Sequence, residues 1–246
     1  MGTLILENIS KHYGVKVALK DFSATFTPGI YALLGPNGAG KSTLMNIITD
    51  NIKPDAGSKV LYNGTPITKL GESYRAVLGY MPQQQGLYDN YTAVRFLGYI
   101  ASLKGIKRTE GRAQIKDALA QVELSDVAAK RVGGFSGGMK QRLLIAQAIL
   151  GNPEIVILDE PTAGVDPRQR VHIRNLISRL AQNKIVIVST HIVSDVETIA
   201  DRVLLLKDGE LAVSGSVEEL TASLPSDVPA TLENVYMQYF GDGDEI

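Results

Sequence analysis

The stretch Gly35-Pro36-Asn37-Gly38-Ala39-Gly40-Lys41-Ser42-Thr43 constrains this chain more than any other. It follows the short apolar run Ile30 to Leu34 without a spacer and leads into a helical pattern over Lys41 to Thr49. Strand, glycine-rich turn and helix in immediate succession specify an α/β unit, and the spacing satisfies G-x-x-x-x-G-K-S/T. Glycines let backbone N–H groups face a phosphate oxygen without interference from side chains, and the helix start adds its dipole and unpaired donors. Lys41 would supply positive charge to the β- and γ-phosphates, and the Ser42 hydroxyl is a ligand for Mg²⁺. An accidental turn before a helix would not need this whole pattern.

Other segments give the architecture. Thr3 to Ile9 and Phe22 to Phe26 alternate apolar with polar residues, as half-buried antiparallel strands do, and Thr27-Pro28-Gly29 is a turn. Strands are expected at Ser58 to Tyr62 and Val77 to Met81. From Thr92 to Glu123 the pattern becomes helical, with Ala93, Phe96, Leu97, Ile100 and Leu103 on one apolar face. Alternation of strand and helix then returns: Glu154 to Leu158, Pro167 to Ala181, Lys184 to Ser189, and a closing hairpin of Asp201 to Leu206 and Glu210 to Ser214 around Asp208-Gly209. Near-continuous Val/Ile/Leu runs separated by helices predict a parallel sheet covered on both faces. The tail from Gly241 to Ile246 is expected to fray.

Two further segments carry chemistry. Ile155-Val156-Ile157-Leu158 ends in Asp159 and Glu160, at the strand end where ligands of open α/β sheets bind. Asp159 is placed to hold Mg²⁺, through water in keeping with that ion's hydration, and Glu160 to polarise an attacking water. Phe135-Ser136-Gly137-Gly138-Met139-Lys140-Gln141-Arg142 precedes a helical run, with Ser136 as its N-cap. The chain therefore has two helix starts able to receive an anion.

With these motifs in this order, the chain resembles the nucleotide-binding subunit of an ATP-binding cassette (ABC) transporter over nearly its whole length. The resemblance implies a P-loop NTPase core with a parallel sheet, an N-terminal antiparallel β-subdomain and an inserted helical subdomain at about 85–132. The ATPase domain would span 1–223 and a C-terminal extension 224–246. It implies that Tyr13 stacks on adenine and that Gln83 touches Mg²⁺ and senses the membrane partner, with the adjacent Gln84 and Gln85 as alternatives for that role. Ser136, Gly137 and Gly138 resemble the signature that meets the γ-phosphate held by a second subunit. Asp166 resembles the aspartate that communicates across the dimer, and His191 the switch histidine on the γ-phosphate. Phe135 and Met139 depart from the signature's usual Leu and Gln; a thioether cannot make an amide's hydrogen bonds, which puts a nucleotide-sugar contact there in doubt.

The implied activity is Mg-dependent ATP hydrolysis that drives a substrate across a membrane. The partners would be a transmembrane permease subunit and a second cassette, identical or not, with the chain peripheral on the cytoplasmic side. The run Gly138 to Arg142 and the segment Leu232-Glu233-Asn234-Val235-Tyr236 resemble single-cassette exporters. The alternatives are a soluble ABC ATPase working on DNA or ribosomes and a phosphotransferase. A net charge of -1 shows no basic nucleic-acid footprint, and kinase chemistry gives no reason for the signature, Gln83 or His191. The absence of cysteine excludes a disulfide framework, and no apolar run reaches membrane-spanning length.

Overall fold

The alternating N-terminal segments form a hairpin of β1 (Leu4–Tyr13) and β2 (Lys16–Phe26). β3 (Gly29–Leu34) leaves it for a second sheet, while β4 (Lys59–Tyr62) and the short β5 (Thr65–Pro66) extend it to an antiparallel sheet in the order β2-β1-β4-β5. The coordinates, a computed structural model, describe residues 2–84 and 86–241. Gln85 and the tail residues 242–246, on which the alternative glutamine and the fraying were placed, lie outside the described residues.

The second sheet runs β10-β9-β3-β8-β7-β6, with β6 (Leu78–Met81), β7 (Ile155–Asp159), β8 (Ile185–Thr190), β9 (Arg202–Lys207) and β10 (Glu210–Gly215). Its pairs are parallel except for the β9–β10 hairpin. Side chains leave its strands alternately. Ile30, Ala32, Leu34, Val156, Leu158, Val186 and Val188 enter one core, and Tyr31, Leu33, Ile155, Ile157, Ile185 and Ile187 enter the other. Burial on both faces explains why these strands read as unbroken apolar runs.

α1 (Lys41–Ile48) and the antiparallel sheet cover the second face, joined by the short helices α2 (Ile67–Leu70) and α3 (Glu72–Ala76), which apolar periodicity alone did not reveal. The first face is covered by α4 (Ala93–Leu103), α5 (Arg108–Gln121), α6 (Gly137–Ile149) and α7 (Pro167–Leu180). α6 lies directly on β6: a Cβ on Gly79 would stand 2.0 Å from the Ala148 carbonyl oxygen, so glycine sets that approach. The apolar face expected on α4 needs one correction. Ala93, Phe96, Leu97 and Ala101 are buried and Ile100 is partly so, but Leu103 is 67% exposed. At the last helical position it falls off the buried stripe.

The C-terminal segment is packed. α8 (Val217–Thr221) is closed by a capping box of Ser216 and Glu219, and α9 (Leu232–Phe240) sinks Leu232, Val235 and Phe240 into the first core. Among the described residues no helix is long and apolar enough to cross a membrane.

Candidate functional site

β3 ends and the glycine-rich loop begins at the carboxyl edge of the sheet. α1 starts after Gly40, which lies at φ 106° and offers no side-chain cap to the helix. A Cβ at Gly40 would stand 2.5 Å from the Ala18 carbonyl oxygen, so both conformation and space require glycine. The first N–H groups of α1 are thus left facing the loop. The tip of the β9–β10 hairpin braces it from behind: Gly209 donates its N–H to the Ala39 carbonyl at 3.1 Å and accepts from the Lys20 N–H at 2.9 Å. The hairpin expected at Asp208-Gly209 is present, and its support of the loop is a role the sequence did not suggest.

Lys41 is buried and its Nζ donates to the carbonyls of Gly35 at 2.6 Å and Pro36 at 3.0 Å. Burial pulls its pKa below the ordinary 10.5, with Glu160 and Asp159 pulling it back upward. A cleft of about 390 Å³ opens beside it, lined by Tyr13, Asn37, Gly38, Gly40, Lys41, Ser42, Thr43, Gln83, Asp159 and Glu160. Of the residues expected to meet a nucleotide, these are gathered into one place. Gly35, Pro36 and Ala39 shape the loop without lining the cleft. Lys16 and Ala18 line it as well and were not anticipated; their strand carries no motif.

Asp159 ends β7 and Glu160 follows it directly. Both are buried, at 3% and 5% exposed, so they are not an exposed acidic turn. Ser189 at the end of the neighbouring β8 holds Asp159 through a short hydrogen bond from its hydroxyl to Oδ1. The Glu160 N–H donates to the Ser189 carbonyl at 3.1 Å and reaches its hydroxyl at 3.2 Å. Glu160 sits at φ 51°, a conformation uncommon for a residue with a side chain, and this turns its carboxylate back to the cleft. Its Oε1 lies 3.0 Å from His191 Nδ1, while the buried Oε2 has no hydrogen-bond partner among the described residues. Ser189 was missed because its role depends on β7 and β8 being neighbours, which a linear reading does not fix.

Ser136 caps α6 as expected, its Oγ accepting from the Met139 N–H at 3.3 Å. Gly137 lines a separate cavity of about 360 Å³ with Gln83, Asp89, Lys140 and Ala163, so Ser136, Gly137 and Gly138 stay apart from the cleft that contains Lys41. Among the described residues Gln83 alone borders both. Asp166 caps α7, its Oδ1 accepting from the Gln169 N–H at 3.0 Å, so within one chain it has an ordinary helix-starting role.

The groups facing the cleft suit a hard cation: the Ser42 hydroxyl, the Gln83 amide oxygen and the Asp159 carboxylate are all oxygen donors. No cluster of three or more His, Cys, Asp or Glu able to hold a metal occurs among the described residues. That donor set fits an ion carried in by a polyphosphate better than one caged by protein alone.

A glycine-rich cradle at the end of a central parallel strand, with a buried lysine and buried acids beside it, defines an α/β nucleotide-binding protein. The sequence profile of the ABC transporter family matches residues 19–163. The uncharacterized ABC transporter ATP-binding protein YxlF of Bacillus subtilis is 37% identical over 220 residues, 88% of this chain and 72% of that protein. The linearmycin resistance ATP-binding protein LnrL of the same bacterium is 34% identical and covers 90% of this chain, which spans 71% of it. A dimeric ATP-binding cassette solved in a post-hydrolysis state with ADP and Pi superposes with a TM-score of 0.76 at 28% identity, covering 87% of this chain and 98% of that one. The chain spans only 27% and 24% of two ABC transporter A family members of Dictyostelium discoideum. The chain belongs to the ABC transporter family, as an ATP-binding subunit.

Proposed function

We propose that the chain binds Mg-ATP in the cleft between Tyr13 and Glu160, hydrolyses it when a second cassette closes over the cleft, and so powers export through a separate membrane-spanning chain. In this reading it sits peripherally on the cytoplasmic side of the membrane, its ATPase domain covering about 1–223. The transport role rests on the names of its relatives, and the export direction on the resemblance to single-cassette exporters together with a relative named for linearmycin resistance.

Tyr13 supplies an exposed ring for adenine, and the N–H groups of the loop and of the α1 start meet the phosphates. Lys41 exchanges the Gly35 and Pro36 carbonyls for phosphate oxygens. Ser42, Gln83 and Asp159 would hold Mg²⁺, which neutralises charge on the phosphate oxygens when bound. Phosphoryl transfer asks for positioning and charge stabilisation more than covalent chemistry, and these residues provide both.

The observation that carries the catalytic part is the state of the Glu160 carboxylate. One oxygen is fixed by His191 and the other is buried, unpartnered among the described residues and beside the cradle, where it would orient and polarise the attacking water. His191 both steadies Glu160 and would reach the γ-phosphate. Glu160→Gln keeps shape and removes the charge. Hydrolysis should fall roughly 10² to 10⁴-fold, the effect typical of losing a general base. ATP affinity, followed by calorimetry, should stay close to that of the parent protein. A Glu160→Gln protein that hydrolyses ATP normally would remove Glu160 from this role.

A further inference from the structure

Four side chains that carry a full charge at neutral pH are buried among the described residues: Lys41, Asp159, Glu160 and Asp195. The first three border the cleft. Asp195 does not, although it is only 4% exposed, and a buried carboxylate is costly unless something holds it. Its partners are specific. Oδ2 accepts a hydrogen bond from the hydroxyl of Thr162, itself buried, at 2.6 Å, and Oδ1 lies 3.9 Å from Nη1 of Arg174 on α7. The same guanidinium donates to the carbonyl of Ser194.

These contacts join the two segments that carry the catalytic candidates. Thr162 lies within the turn that starts at Glu160, closed by the Ala163 N–H on the Glu160 carbonyl at 3.1 Å. Asp195 ends the turn that follows His191, in which its N–H donates to the Ile192 carbonyl at 3.1 Å. The Ile192 N–H is tied in turn to the Thr190 hydroxyl at 3.0 Å. The two turns are therefore bridged twice. On the cleft side the bridge is His191 to Glu160 at 3.0 Å, and on the buried side it is Asp195 to Thr162 at 2.6 Å. The His191 side chain is half exposed, so water reaches its rung, whereas the rung beneath it is closed from water. A charge-assisted hydrogen bond in a dry place is the stiffer of the two.

We propose that Asp195 is a positioning residue for ATP hydrolysis: through Thr162 and Arg174 it fixes the spacing between Glu160 and His191. This rests on the reading of Glu160 and His191 given under the proposed function. Asp195 is buried and does not line the cleft. It acts on the rate by keeping the acid and the histidine in register, and it ties that register to α7, the helix capped by Asp166.

The test compares Asp195→Ala, Thr162→Val and Thr162→Ser in the full chain. Asp195→Ala and Thr162→Val should each lower kcat by about ten- to a hundred-fold, the range for misplacing a reacting group by about an ångström. KM and calorimetric affinity for ATP should stay within about two-fold, because the cradle is untouched. Thr162→Ser, which keeps the hydroxyl, should restore the rate, and the double variant should be no slower than the slower single one. Unchanged kcat in Thr162→Val would overturn the proposal. So would a rate loss matched by an equal loss of folded, ATP-binding protein, since the role would then be structural only. Thr162→Val keeps the test alive if Asp195→Ala does not fold. Glu160→Gln run in parallel separates the two claims. If it is inactive while Asp195→Ala and Thr162→Val turn over normally, only the positioning role falls; if it is active, the underlying reading falls.

Discussion

Lys41 is the only buried cation among the described residues, and its position shows how the site stores charge. Without a phosphate in reach it donates to two carbonyls of its own loop, which keeps a desolvated ammonium satisfied. A polyphosphate offers it a full negative charge instead. Lys41→Ala should therefore weaken ATP binding strongly and abolish turnover while leaving the melting temperature little changed; parental affinity in that variant would sink the assignment. Tyr74 makes a second residue-scale prediction. Its hydroxyl, fully buried, donates to the carbonyl of Ile48 at 2.7 Å, and burial holds its pKa above the ordinary 10.0. The folded state then keeps a proton that the unfolded chain loses. The contribution is intact below pH 10.0 and declines as pH rises from there toward the folded pKa. The decline should be at most about 1.4 kcal/mol per pH unit for this one group. Tyr74→Phe should cost about 1 kcal/mol near neutrality through the lost hydrogen bond and flatten the alkaline fall. Denaturant titrations at several pH values check both signs.

Local pattern made the elements legible where one face or both faces of a segment were apolar. The runs around Val156, Val186 and Leu204 became β7, β8 and β9, and Ser136 capped α6 as its side chain suggested. Within the site, Lys41, Asp159 and Glu160 stood out because each sits at the end of such an element. The parts that escaped depend on what lies beside what. Ser189 and Asp195 matter through residues about thirty positions away, and no local spacing encodes which strands neighbour each other. The C-terminal helices α8 and α9 escaped for a different reason: they are short, and α9 acquires its buried face from the core it meets. Leu232 is fully buried there, and its N–H donates to Glu197, just beyond the His191 turn, at 2.8 Å. Leu232→Ala should cost about 2–5 kcal/mol, as expected for emptying a packed core position. Chemical denaturation that showed no loss would mean α9 is a detachable appendage.

At the scale of the whole molecule, the proposed function needs a second cassette to close over the cleft. The Lys41 cleft and the cavity at the start of α6 are separate places on one chain, bordered in common, among the described residues, only by Gln83. Both are helix starts with N–H groups to offer, yet the buried acids Asp159 and Glu160 line the cleft and not the cavity at the α6 start. A head-to-tail pair with two-fold symmetry would set Ser136 and Gly138 of one copy over the phosphates held by the other, and closure would follow from the γ-phosphate they share. Uncleaved ATP should then hold the pair together. Glu160→Gln supplies it, because Lys41, Ser42 and Asp159 remain to bind the nucleotide. Sedimentation of that variant should show a shift from monomer to dimer with Mg-ATP and no shift with ADP. Adding Ser136→Arg places bulk and a cation at the α6 start, so the shift should disappear while ATP binding to the monomer persists. If Glu160→Gln is inactive but remains monomeric with ATP, the chemistry assigned to the cleft stands. The closing partner must then be a different cassette, or the membrane chain must bring the two copies together.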